Sequence, residues 1–230
     1  MTNILHIIKY NLKIIFGNRF IYFLGASLIF YLLFTGISLF SDEMINVEDV
    51  YYQLIFPGIL LMFFPTAFGI QNDEDSRILE ILFGIPNYRY KVWLVRLSII
   101  FVMVFIIVTI LAFINNYLLV ELPVLEMGAQ LIVVLVLFGT LGFLFSTIVK
   151  NGNGTAVVMV IVGLCLWFLH GFIDVSKWNV FLNPFSTPNN ISESLFQTML
   201  FQNRLIIISV SIAAVLWGLI NLQGREKFIR

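Results

Sequence analysis

Residues 97–114 read LSIIFVMVFIIVTILAFI, eighteen positions without one charged side chain. The apolar run around them extends from Val92 to about Val120. A helix crosses the roughly 30 Å hydrocarbon layer of a bilayer in about 20 residues, so this run is long enough to span. Five further runs have the same character. They cover residues 20–40, 51–70, 127–149, 155–175 and 204–222. The chain of 230 residues is 60% hydrophobic and 11% charged, with a mean hydropathy of +0.99. Soluble domains hold about 45–50% apolar residues, and a soluble core cannot absorb the excess. The expected fold is therefore an all-α integral membrane protein with about six transmembrane helices in one domain, residues 1–230. Six spans and their connections use up the length and leave no room for a separate globular unit.

The segments around the spans are read by pattern. Residues 3–16 place Ile4, Ile8, Leu12 and Ile15 at helical spacing, with His6, Lys9 and Lys13 elsewhere on the wheel, which predicts an amphipathic helix at the membrane surface. The run 20–40 lacks a small-x-small cleavage site and is expected to remain as the first span. Pro57 and Pro65 are expected to bend the second span, which is tolerated where neighbours or water satisfy the freed carbonyls. Tyr90 and Trp93 are read as interface anchors of the third span, and Tyr51 and Tyr52 as anchors of the second. The stretch from Val175 to Asn203 is the longest outer connection, with a possible short helix from Ser192 to Phe201.

Orientation follows from the positive-inside rule. With the N-terminus inside, Lys9, Lys13, Arg19, Arg77, Arg89, Lys91, Arg96, Lys150, Arg225, Lys227 and Arg230 face the cytoplasm, 11 of the 13 basic residues. Lys177 and Arg204 fall outside. Both termini are then cytoplasmic in a multi-pass protein of the cell membrane. Equal numbers of basic and acidic residues give no basic face for nucleic acid. The single Cys165 cannot form a disulfide within the chain.

Residues 73–96 hold eight charges in 24 positions. Asn72 or Asp73 is placed to cap a helix with Glu74 and Asp75 in its first turn, where negative charge suits the helix dipole. Gly84 and Pro86 end it. Asp73, Arg77, Glu80 and Gly84 share one side of this helix, and Asp73–Arg77 and Arg77–Glu80 have pairing offsets. A charged amphipathic helix between two spans suits docking to a cytosolic partner. An ordinary solvated loop is the bland alternative.

Residues 74–89, EDSRILEILFGIPNYR, resemble the segment after the second span in permeases of the type-2 ABC exporter family. That pattern is an acidic residue, Gly-Thr-Leu-Glu, a short apolar run, a proline six residues after the glutamate and an arginine three beyond it. Leu79, Glu80, Pro86 and Arg89 match, while Arg77 and Ile78 stand where the family has Gly-Thr. Asn183-Pro184-Phe185 before the last span is similar to another family feature, and the order of spans and connections follows the family along nearly the whole chain. The resemblance implies an ABC transporter permease whose cytoplasmic segment, residues 73–91, couples it to a cytosolic ABC ATPase subunit dimer. Asp73, Glu74, Asp75, Arg77, Glu80, Gly84, Pro86 and Arg89 would carry that coupling. It also implies a second permease copy or paralogue, alternating access, and no cofactor in this chain, with ATP and Mg on the partner subunit. The sequence has no G-x-x-x-x-G-K-[ST] phosphate loop, so the chain itself is not expected to be an enzyme. Apolar walls point to a hydrophobic or amphipathic cargo, such as a drug or antimicrobial peptide.

Other readings stay open. An ion-coupled transporter would need ionisable groups in the membrane, and the span centres show none. An intramembrane enzyme would need a catalytic pair at membrane depth. A small immunity or sensor protein would leave the charged block idle. His170 and Asp174 stand four residues apart and have a pairing offset at the outer end of the fifth span. No Cys/His cluster or H-E-x-x-H motif is present, so no metal site is expected.

Overall fold

The computed structural model describes residues 20–41, 44–75, 89–188 and 191–223, with residues 89–91 described by backbone alone. The described chain is helical, without a strand among the described residues. Its elements are α1 (Phe20–Phe40), α2 (Val47–Ala67), α3 (Gly69–Asp75), a π-helical turn (Arg89–Leu94), α4 (Val95–Leu118), α5 (Val124–Val149), α6 (Gly152–Phe172) and α7 (Glu193–Asn221). Six helical stretches are long and apolar enough to cross a membrane, with α2 and α3 counting as one and the π-helical turn leading into α4. The protein is thus an all-α, multi-pass membrane protein. The expected surface helix at residues 3–16 lies outside the described residues.

α5 forms the centre, packed against α2, α4, α6 and α7, while α1 leans on α2. Lipid tails are as apolar as leucine, so helices in a membrane associate through close packing and hydrogen bonds rather than by hiding from water. Both devices are visible. A Cβ at Gly142 would lie 2.6 Å from Thr66 Oγ1, and one at Gly139 would lie 2.9 Å from the Phe101 ring, so α5 meets α2 and α4 at contact distances only glycine permits. On α1 the buried residues after Phe20 are Ser27, Tyr31 and Thr35, a stripe at four-residue spacing. Ser27 donates to Pro57 O at 3.0 Å, Tyr31 donates to Asn115 Oδ1 at 2.8 Å, and Gln53 donates to Thr35 Oγ1 at 2.6 Å. The opposite side of α1 presents Ile21, Ile29, Leu32, Leu33 and Ile37 outward, as a lipid-facing surface requires.

Two expectations about helix breaks are refined. Pro57 and Pro65 both lie inside α2, as a tolerated proline in a span requires. The helix is interrupted at Phe68 (φ −101°, ψ −6°), three residues past Pro65. Phe68 N–H still donates to Phe64 O at 3.0 Å and Asn72 N–H to Phe68 O at 2.9 Å, so α3 continues the same span. The separate helix expected at Ser192–Phe201 is instead the start of the sixth span. Glu193–Asn221 is one helix of 29 residues, about 43 Å at 1.5 Å per residue and longer than the hydrocarbon layer. Its polar triplet Gln202-Asn203-Arg204 looked like a boundary, but Asn203 and Arg204 turn inward and are buried.

Candidate functional site

The end of α3 and the start of α4 flank the charged block, and they are joined. Asp73 Oδ2 accepts a hydrogen bond from Arg96 Nη1, an ion pair spanning 23 residues of sequence. Asp73 is 2% exposed and Arg96 5%. Charges almost never become this buried unless paired, because each loses several kcal/mol of hydration that only a close partner returns. Trp93 provides the floor: the Arg96 guanidinium lies over its ring, 5.0 Å from the centroid. The π-helical turn positions this pair, with Trp93 and Arg96 at an i, i+3 offset on one face. Trp93 in turn packs on Phe143 of α5, ring centroids 5.8 Å apart. The ion pair is thereby seated on the central helix.

This arrangement corrects several expectations. No helix starts at Asn72 or Asp73, since both lie inside α3, which continues the second span. Asp73 is neither a cap nor an exposed contact, and its buried carboxylate is committed to Arg96. Glu74 is half-buried and Asp75 exposed. Arg77, Glu80, Gly84 and Pro86 lie outside the described residues, as does the side chain of Arg89, whose backbone opens the π-helical turn. Trp93 is not an interface anchor, being 4% exposed beneath Arg96. Tyr51 is likewise fully buried, its ring edge-on to Tyr52 and Phe185.

Beside the ion pair is a small cavity of about 20 Å³ lined by Pro65, Thr66, Gly69, Asn72, Asp73, Trp93, Arg96, Leu97, Ile100 and Phe143. Two of its lining side chains carry buried donors without a partner, Trp93 Nε1 and Arg96 Nε. Family models, curated proteins and solved structures give no match to this chain.

A second buried cation sits toward the opposite end of the bundle. Arg204 donates from Nε to Gln130 Oε1 at 2.9 Å, from Nη1 to Asn203 Oδ1 at 3.2 Å, and from Nη2 to Tyr51 OH at 3.3 Å and Leu182 O at 3.2 Å. All of these acceptors are neutral. Asn203 Nδ2 reaches Lys177 O at 3.0 Å and Asn179 O at 2.8 Å, and Asn183 Nδ2 reaches Glu48 O at 3.0 Å. The connection after α6 is thus tied to α2, α5 and α7 by side-chain amides and one guanidinium. His170 belongs to the same network, but its ring nitrogen meets the Asn179 amide, not the Asp174 carboxylate. Asn179 Nδ2 donates to Asp174 O at 2.7 Å, and Asn179 Oδ1 accepts from Phe181 N–H at 3.0 Å.

Among the described residues no three His, Cys, Asp or Glu side chains gather where a metal ion would be held. Sequence reading missed Arg96 and Trp93 as site residues. The available signal was an arginine within an otherwise apolar helix, which in a membrane segment marks a functional candidate with a partner to be sought.

Proposed function

We propose that this chain is the membrane-spanning permease subunit of an ATP-driven ABC exporter, paired with a second permease copy or paralogue and powered by a cytosolic ATPase dimer. In this reading both termini and residues 73–91 face the cytoplasm. The observation that carries it is the buried Asp73–Arg96 pair, which clasps the bases of the second and third spans on either side of residues 76–88. Those residues occupy the place where the family resemblance puts the coupling segment. A lever is useful only if its root is stiff, and a buried, hydrogen-bonded ion pair seated on α5 through Trp93 supplies stiffness where a flexible loop root would dissipate motion. Nucleotide-driven movement of the ATPases would shift the clasped spans together and alternate the access of the pathway. The cargo is a hydrophobic or amphipathic molecule, and this chain does no covalent chemistry.

The same pair favours one other reading, an ion-coupled transporter in which the buried Asp73 carboxylate is the ion or proton site, since ionisable groups inside spans often mark such pathways. The two readings separate in proteoliposomes that hold the complex purified from native membranes and a lipophilic cationic dye. The exporter reading expects dye movement that requires ATP and survives collapse of all ion gradients. Dye movement driven by a proton or sodium gradient without ATP would contradict it.

A further inference from the structure

We infer that the cavity between α3, α4 and α5 is a hydration site, holding one ordered water that accepts hydrogen bonds from Trp93 Nε1 and Arg96 Nε and completes the shell of the Asp73–Arg96 pair. Three observations converge on it. The cavity measures about 20 Å³, above the roughly 10–15 Å³ that a single water requires. Both orphan donors belong to residues that line it, and Trp93 and Arg96 are 4% and 5% exposed. The largely apolar lining includes polar side chains. A water offers two lone pairs, matching two donors, and its own protons find acceptors among the Asp73 carboxylate, the Asn72 amide and the Thr66 hydroxyl in the same wall. An apolar cavity of this size would stay dry, but stranding an indole N–H and a guanidinium N–H in it would forfeit two hydrogen bonds, one of them charge-assisted. Asp75, two residues on from Asp73, is exposed.

The inference makes the ion pair part of a four-membered unit, carboxylate, guanidinium, indole and water, and it stands whether or not the chain couples to an ATPase. Gly69 provides a test whose sign depends on the answer. A Cβ there would lie 3.6 and 3.9 Å from Trp93 ring atoms, ordinary contact distances, and Gly69 does not adopt a positive φ, so alanine fits the backbone. Gly69→Ala adds a methyl group to the cavity wall. If a water is present, the methyl displaces it and strands both donors, so the Tm of the full chain in detergent falls. If the cavity is empty, the methyl fills a void and the Tm rises. The second measurement is the ultraviolet resonance Raman band of the indole N–H, isolated for Trp93 by subtracting the spectrum of Trp93→Phe. The expected result is a hydrogen-bonded position in the parent protein that moves to the free position in Gly69→Ala, together with the lower Tm. A free N–H in the parent protein, a bonded N–H that does not change in Gly69→Ala, or a raised Tm would each overturn the hydration site.

Discussion

Asp73 and Arg96 show how far a local reading of charge can go. On helical spacing alone Asp73 has Arg77 as its partner, four residues away, and a capping role is equally natural. Its actual partner lies 23 residues on, across a segment whose length says nothing about where its ends meet. The pair is also a sensitive point energetically. Removing one partner leaves an uncompensated buried charge, at a cost of about 3–5 kcal/mol, whereas removing both can be nearly neutral. Asp73→Ala and Arg96→Ala should each cost about that much in reversible unfolding in mixed micelles, and the double variant should cost much less than their sum. Additive losses would mean that the two groups do not depend on each other.

At the scale of elements, the apolar runs were readable because a charge-free window of span length has few alternatives, and six helices among the described residues are long and apolar enough to cross a membrane. Ends were less readable where polarity served two purposes. Gln202, Asn203 and Arg204 look like the edge of a span, yet a helix carries them without interruption because Asn203 and Arg204 find buried acceptors on other segments. Tyr51 misled in the same way: an interfacial tyrosine and a buried tyrosine beside a guanidinium have the same sequence context. The sequence offers Gly142 as a small residue in an apolar run, which alone is weak evidence of an interface and does not name Thr66 as its partner. The geometry predicts that Gly142→Ala destabilises the bundle, since its Cβ would lie 2.6 Å from Thr66 Oγ1, and that Thr66→Ala in the same chain restores most of the loss. Thermal unfolding of the two single variants and the double variant measures this, and equal Tm values for Gly142→Ala with and without Thr66→Ala would refute the contact.

For the whole molecule, the architecture is a central helix, α5, with the other spans around it and a polar fastening toward each end. Near one end the Asp73–Arg96 pair holds the second and third spans on Trp93. Toward the other, Arg204 and the asparagines bind the long connection to α2, α5 and α7. Between these fastenings the outward surface is apolar, as lipid demands. In the proposed exporter, a push at the charged segment would reach two spans at once through the Asp73–Arg96 pair. The most direct measurement is affinity purification of the chain from native membranes, parent beside a Glu80→Lys, Arg77→Glu double variant, scored for membrane insertion, for an accompanying ABC ATPase and for export. The account predicts an ATPase with the parent chain, and in the inserted variant its loss together with loss of export, since breaking a charged contact of this kind costs about 2–5 kcal/mol of binding. A parent chain that brings down no ATPase, or an inserted variant that binds and exports as the parent does, would contradict it.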